Sequence, residues 1–152
     1  MGTLARALRP EQTPIGLQLA RTARTVGRAF DDALEEVDGS LPVWLVLLNL
    51  KIQQNTNQRA LAEAVGITGA TLTHHLNAME QDGLLTRRRD PVNRRNHIVE
   101  ITPTGETTFM RLAAAAQAFD ERLRSSLTAA ELNKLRTLLD QLGASVTPQS
   151  AP

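Results

Sequence analysis

Apolar residues recur every three or four positions along most of the chain, the spacing that places them on one face of an α-helix. The first such stretch runs from Ile15 to Val37. After Gly39 and Ser40 a second stretch, apolar on nearly every side, continues to Ile52 with Pro42 in its first turn. A helix that is apolar all round is usually buried. The pattern therefore predicts a long amphipathic helix followed by a buried one.

Two short helices joined by a turn are predicted next. Asn57 is a favourable N-cap for the first, and Gly66 follows it in the turn. Thr68 can cap the second, which spans residues 69–81 and ends before Gly83. Its inner stripe consists of Leu72, Leu76 and Met79. The opposite face carries short polar side chains, which leave room for another molecule to approach closely.

The period changes from helical to extended after Gly83, which predicts a β-hairpin over residues 84–88 and 97–102. A fifth helix is predicted to start at Thr102-Pro103, and a capping box at Thr128-Ala129-Ala130-Glu131 predicts a sixth that ends at Gly143. We find no internal repeat, so we expect a single domain over residues 1–152. Its last residues, 144–152, are expected to form a disordered tail.

The amino-acid composition excludes several classes of function. The 152 residues are 41% apolar and include no cysteine, which excludes disulfides, thiolate metal sites and a catalytic thiol. No run approaches the roughly 18 apolar residues of a membrane span, and the N-terminal residues lack the apolar core of a secretory signal. We therefore expect a cytoplasmic protein without a membrane partner.

Charge is partitioned along the chain although the formal net charge is only +1. Between Leu84 and Val99 there are five arginines and a single acidic residue, Asp90. A solvated hairpin would explain an isolated basic run equally well. This run follows a short helix, a turn and a helix with a polar face, and that order indicates a winged helix-turn-helix. The predicted fold is all-α with a small β-hairpin wing.

This arrangement suits duplex DNA. Short donors and acceptors on a helix can approach base edges in the major groove, and arginines at a hairpin tip can enter a narrow minor groove. The candidate DNA-binding residues are Asn57, Gln58, Thr68, Gly69, Thr71, Thr73, His74, Asn77, Arg87, Arg94 and Arg95.

The chain resembles the MarR (multiple antibiotic resistance regulator) family over nearly its whole length. The resemblance rests on Ser40-Leu41-Pro42-Val43-Trp44, on Thr71-Leu72-Thr73-His74-His75-Leu76, on the wing from Gly83 to Arg95, and on Ile101-Thr102-Pro103-Thr104-Gly105. It implies a homodimer joined through residues 15–38 and 103–143, a DNA-binding lobe at 41–101, and a ligand cavity between the two parts. It also implies that Arg95 is the minor-groove arginine. The family usually has aspartate where this chain has Asn93, which replaces a charged pair by a weaker neutral hydrogen bond.

The function predicted from the resemblance is a ligand-responsive regulator, a repressor on a pseudo-palindromic duplex operator. It needs no cofactor but responds to a small aromatic or amphipathic organic effector. Trp44 could stack on such an effector, although a single tryptophan in a buried helix more often belongs to the core. The alternative function is a winged-helix protein-interaction module.

Metal binding and catalysis find little support in the sequence. His74 and His75 point about 100° apart on a helix and His97 lies in the wing, so no metal-ligand set is expected. No phosphate-binding loop or catalytic arrangement is recognisable, and an enzyme is not expected.

Overall fold

The computed structural model describes residues 13–53 and 57–147. Within these ranges the chain forms six helices and one two-stranded antiparallel sheet, which confirms the predicted order of elements. The elements are α1 (Ile15–Glu35), α2 (Leu41–Ile52), α3 (Gln58–Val65), α4 (Gly69–Gln81), β1 (Leu85–Arg89), β2 (His97–Ile101), α5 (Pro103–Arg124) and α6 (Ala129–Val146).

Side-chain caps define where the central helices begin. Ser40 accepts a hydrogen bond from the Val43 N–H at 3.4 Å, and Asn57 accepts one from the Ala60 N–H at 2.9 Å. Thr68 caps α4 through the Thr71 N–H at 3.2 Å. These caps satisfy donors that a helix start would otherwise leave unpaired.

The turn between α3 and α4 depends on a glycine. Gly66 ends α3 with φ of 77°, in the left-handed region where a side chain would be strained. Its N–H donates to the Ala62 carbonyl oxygen at 2.9 Å. Local sequence thus sets the residue at which α3 ends and the direction in which the chain continues into α4.

The hydrophobic core is built from the inner faces of α2, α3 and α4, closed by the hairpin and by single leucines of α1 and α5. Its buried members are Leu34, Val46, Leu47, Leu50, Leu61, Ala62, Leu72, Leu76, Met79, Leu85, Val99 and Leu112. Each fully buried leucine contributes about 1.5–3 kcal/mol. The core therefore holds α4 by one face and leaves its polar face outward.

The hairpin pairs Leu85 with Ile101 and Arg89 with His97. Its base is joined to α5 by Thr102, whose hydroxyl donates to the Gly83 carbonyl oxygen at 2.5 Å and accepts from the Gly105 N–H at 3.0 Å. Gly105 is buried, and a Cβ there would collide with the Leu84 carbonyl oxygen. A residue without a side chain lets the first turn of α5 pass directly over the hairpin base.

The described residues form two compact units, and the single domain over residues 1–152 stays a prediction. The described residues up to Ala116 form the first, and those from Gln117 form the second. The second unit exposes Leu123, Leu127, Leu135, Leu138, Leu139, Leu142 and Val146. The second unit therefore leaves several large apolar side chains exposed to solvent.

Two helix boundaries differ from the sequence expectation, whereas Pro42 lies in the first turn of α2 as predicted. α1 ends at Glu35 instead of Val37. The prediction that the last helix ends at Gly143 is wrong, since α6 continues to Val146. Gly143 lacks the positive φ of a helix-ending glycine and lies inside the helix. Residues 148–152 of the expected disordered tail lie outside the described residues.

Candidate nucleic-acid interface

The outward face of α4 carries exposed polar side chains. Thr68, Gly69, Thr71, His74 and Asn77 are all exposed. The Thr68 hydroxyl lies 2.9 Å from that of Thr71 in addition to capping the helix, so it serves the helix start first. His74 and Asn77 lie one turn further along the helix, where a DNA-contacting helix presents its base-reading side chains.

Gln58 and Thr73 form one hydrogen-bonded pair between α3 and α4. The Gln58 side-chain N–H donates to the Thr73 hydroxyl oxygen at 2.6 Å, and the Thr73 hydroxyl donates to the Gly69 carbonyl oxygen at 2.9 Å. The only hydroxyl proton of Thr73 is therefore engaged within the protein. The Gln58 side-chain oxygen accepts no hydrogen bond from a described residue, so Thr73 positions Gln58 more directly than it offers a donor of its own.

Arg87 is held inside the protein rather than extended from it. Its guanidinium donates to the Glu80 carboxylate at 2.6 and 3.1 Å, and its Nη2 donates to Asn77 Oδ1 at 2.6 Å. The Arg87 backbone N–H donates to the same carboxylate at 3.1 Å. The Arg87 side chain is 19% exposed. Hydrogen bonding by the guanidinium holds the pKa of Glu80 below its ordinary value, so the ion pair is fully charged at neutral pH.

Arg88 is neutralised by a partner on the neighbouring strand. Its guanidinium donates to both Glu100 carboxylate oxygens, at 3.1 and 3.2 Å. These hydrogen bonds lower the pKa of Glu100 and raise that of Arg88. Arg88 and Arg87 thus contribute less free positive charge to the wing than the sequence suggests.

The wing tip is a pair of turns in which side-chain oxygens accept backbone hydrogen bonds. Asp90 Oδ1 accepts from the Val92 N–H at 2.8 Å, and Asn93 Oδ1 accepts from the Arg95 N–H at 3.3 Å. Asn93 therefore orders the backbone at Arg95, and it does not hold the Arg95 side chain.

Unpaired positive charge is concentrated at the same tip. Arg89, Arg94 and Arg95 are exposed, and none of them forms an ion pair with a residue in the described ranges 13–53 and 57–147. These arginines are free to bind an anion.

A cleft of about 540 Å³ runs between α3, the start of α4 and the wing. Its lining brings together several residues predicted from the sequence, namely Gln58, Gly69, Thr73 and Arg95, and also includes His97. The cleft therefore joins the helix-turn-helix to the wing tip. We call the candidate residues of these two elements the α4–wing face: Gln58, Gly69, Thr71, Thr73, His74, Asn77, Arg89, Arg94 and Arg95.

Trp44 lies away from the α4–wing face and packs against the core. It is half-buried, and its ring stacks on Phe109 with centroids 5.6 Å apart and planes 10° apart. Lys51 lies over the same Phe109 ring at 5.7 Å and pairs with Glu106 at 2.9 Å. One face of the Trp44 ring is thus occupied by Phe109, and a ligand contact by Trp44 stays a prediction.

The histidines of α4 do not converge. The His74 and His75 rings are 5.8 Å apart and tilted by 60°. Across the described residues there is no cluster of three or more histidine or acidic side chains able to hold a metal ion.

In the same part of the chain, no helix has the length and apolar character needed to cross a bilayer.

Glu80 and Glu100 are the residues of the candidate site that sequence reasoning missed. Glu80 pairs with Arg87 and Glu100 pairs with Arg88, so neither arginine is a free cation. Glu100 could have been found from the hairpin register, because it pairs with Thr86 and so lies diagonal to Arg88. Glu80 has no comparable signal, since its contact with Arg87 depends on how the end of α4 packs against β1.

A short helix, a turn, a helix with a polar outer face and a basic hairpin together define a winged helix-turn-helix. Residues 40–97 match the model of the MarR family. This range covers the helix-turn-helix and most of the wing.

Solved structures extend the likeness beyond that segment. The transcriptional repressor CouR, bound to a 23-mer DNA duplex, is 28% identical with a TM-score of 0.78, covering 94% of this chain and 96% of that one. A MarR-family transcriptional regulator from Rhodococcus sp. RHA1 is 26% identical with a TM-score of 0.73, covering 84% and 91%. CouR from Rhodococcus jostii RHA1 bound to p-coumaroyl-CoA superposes with a TM-score of 0.73 at 24% identity, covering 90% and 96%.

Residues 40–97 thus match the MarR family of transcriptional regulators, and most of the chain is similar in fold to a solved MarR-family regulator and to the repressor CouR. Members of this family are transcription regulators and not enzymes. The resemblance inferred from the sequence motifs is thereby confirmed.

Proposed function

We propose that this regulator binds a pseudo-palindromic DNA duplex as a homodimer and represses transcription from it, in the cytoplasm. In this proposal α4 enters the major groove and the wing tip, with Arg94 and Arg95, reaches the adjacent minor groove. The observation that carries the proposal is the α4–wing face, where exposed short polar side chains adjoin unpaired arginines. The structure of CouR bound to a 23-mer DNA duplex supports DNA binding by a protein of this fold.

DNA binding is tested by selection from randomised duplexes followed by salt titration of the selected duplex. We expect an enriched sequence with two related halves about 34–36 Å apart, the separation of one helical turn. Affinity should fall steeply with salt, because arginines that neutralise phosphates release counterions. A protein that enriches no sequence and shows no salt-dependent affinity would instead be the protein-interaction module. Repression is tested separately by placing the selected duplex upstream of a reporter gene.

Dimerisation is supported by the apolar residues that the protein leaves exposed. Leu19 is 40% exposed on α1, Leu123 is 46% exposed on α5, and Leu138 is 45% exposed on α6. Each of these three helices therefore exposes a leucine that a second copy could cover. Light scattering coupled to size exclusion should give a dimer at micromolar concentration, and a stable monomer of 16.6 kDa would contradict the proposal.

We also propose a small aromatic or amphipathic organic effector. The support is the complex of CouR with p-coumaroyl-CoA. An effector that weakens DNA binding must itself bind the DNA complex more weakly, by about 1–3 kcal/mol of coupling. Phenolic acids and their thioesters are therefore to be screened for release of the selected duplex. If all classes fail while DNA binding is tight, the repressor acts without a small-molecule effector.

A further inference from the structure

Arg87 connects the wing to the outward face of α4. It lies on β1, yet its side chain reaches back to two residues of α4, Glu80 and Asn77, with both Nη2 contacts at 2.6 Å. The Glu80 carboxylate accepts three hydrogen bonds from Arg87, from its Nε, its Nη2 and its backbone N–H. The guanidinium is therefore fixed in direction before it meets Asn77.

The direction of the Asn77 amide follows from this contact. A guanidinium can only donate hydrogen bonds, so the Asn77 atom that faces Arg87 must be the acceptor Oδ1. The amide nitrogen Nδ2 then points the other way. Asn77 is exposed, and its Nδ2 makes no hydrogen bond to any residue in the described parts of the chain. Asn77 thus presents two N–H donors to the exterior.

An asparagine held in this way differs from a free one. A free asparagine reads adenine with one donor and one acceptor, which requires its Oδ1 to face the base. In this protein Oδ1 faces Arg87 and accepts from it at 2.6 Å, which uses one of its two lone pairs and turns Nδ2 outward in its place. The two outward donors match a base edge with two adjacent acceptors, and in the major groove that edge is guanine O6 and N7.

We propose that Arg87 is a positioning residue that fixes the Asn77 amide with its two N–H donors outward and thereby directs it to guanine in the major groove. This inference rests on the proposed DNA-binding function. It assigns Arg87, one of the basic wing residues, a role in base preference instead of phosphate binding. The role of Glu80 is to hold Arg87 in place.

The test uses the full-length protein and duplexes selected from a randomised pool by the wild type. Selection is repeated with Arg87→Gln and Asn77→Asp, and affinities for the selected duplex and a scrambled duplex are measured over a salt series. Asn77→Asp keeps the acceptor that Arg87 needs but removes both outward donors. We expect a guanine at one position of each half-site with the wild type. Each variant should lower the preference for that guanine by about tenfold, the discrimination typical of a base contact.

The salt dependence separates positioning from phosphate contact. If Arg87 acts only through Asn77, the logarithmic salt slope of Arg87→Gln should stay within about 0.3 of the wild type, whereas a lost phosphate contact lowers it by about 0.9 per protomer. Replacing the selected guanine by 7-deazaguanine removes the N7 acceptor. This replacement should weaken wild-type binding and leave binding by Asn77→Asp nearly unchanged.

Arg88→Gln is the matched control. Arg88 neighbours Arg87 on β1 and is also paired with a glutamate, but its partner Glu100 lies on the hairpin and not on α4. The Arg88→Gln variant should leave the guanine preference unchanged. Thermal unfolding of each variant shows whether it folds. If Arg87→Gln does not fold, the guanine preference of Asn77→Asp still tests the proposal.

The proposal is overturned if Asn77→Asp keeps the guanine preference, or if Arg87→Gln loses salt slope while its base preference is unchanged. In both cases the wild type still selects a sequence, so the proposed DNA-binding function stands. If the wild type selects no sequence at all, the proposed function fails and this inference fails with it.

Discussion

Replacing Arg95 by alanine should reduce the salt dependence of DNA binding without affecting stability. The Arg95 side chain is exposed and makes no ion pair with a described residue, while its backbone N–H, which alanine retains, bonds to Asn93. The free energy of unfolding should therefore change by less than about 0.5 kcal/mol. The substitution removes a cation that the structure leaves free, and it leaves the turn intact.

The size of the effect follows from counterion release. One phosphate contact contributes about 0.9 to the slope of log affinity against log salt, so loss of two in a dimer lowers the slope by about 1.8. Between about 50 and about 200 mM salt, a fourfold change, the fold-loss in affinity should be about 12 times smaller for the variant than for the wild type. Fluorescence anisotropy with a labelled duplex at several salt concentrations measures both slopes.

The control is the double variant Arg88→Gln with Glu100→Gln, which removes an equal and opposite pair from the same hairpin. Its slope should equal that of the wild type within about 0.3. If Arg95→Ala had the wild-type slope, the wing tip would not contact phosphates. A melting temperature that fell together with the slope would mean that the Arg95 side chain supports the fold.

Three further predictions concern the protein without DNA. Gly105→Ala should lower the free energy of unfolding by about 1–3 kcal/mol in chemical denaturation, because its methyl group collides with the Leu84 carbonyl oxygen; an unchanged midpoint would contradict this packing. Glu80 has a lowered pKa in the folded state, so its contribution is present above its ordinary pKa and is lost as pH falls. The wild type should therefore lose more unfolding free energy than Glu80→Gln between about pH 6 and about pH 3, and equal losses would show that Arg87 does not stabilise the carboxylate. Thr128→Ala should cost about 0.5–2 kcal/mol because it removes the capping box of α6, whereas Thr128→Ser should retain most of it.

Local sequence signals predicted the fold well because they report interactions between neighbours. The caps at Asn57, Thr68 and Thr128 each bond a backbone N–H three residues away, and such contacts can be read from spacing. Apolar periodicity likewise predicts which face is buried. Gly143 misled because glycine ends a helix only when its φ is positive, and the sequence does not show φ.

The candidate site was less predictable because its side chains are paired through tertiary contacts. In the sequence Arg87 is one of several unpaired cations. In the structure the packing of β1 beside α4 places it against Glu80. Thr73 counted as a base-reading donor until α3 brought Gln58 to within 2.6 Å of it. Side chains that share a surface compete for the same hydrogen-bonding atoms, and that competition depends on distances between elements.

The turns at the wing tip determine how much order the protein must gain when it binds. The Asp90 and Asn93 side chains already fix the backbone on either side of the tip, and the Asp90 N–H bonds to the Asn96 carbonyl oxygen at 2.9 Å. Fixing a free backbone costs about 1–2 kcal/mol per residue in lost conformational entropy. Most of that loss at the tip is therefore incurred on folding. What remains for the encounter with a polyanion is the immobilisation of the Arg94 and Arg95 side chains, at about 0.5–1.5 kcal/mol each.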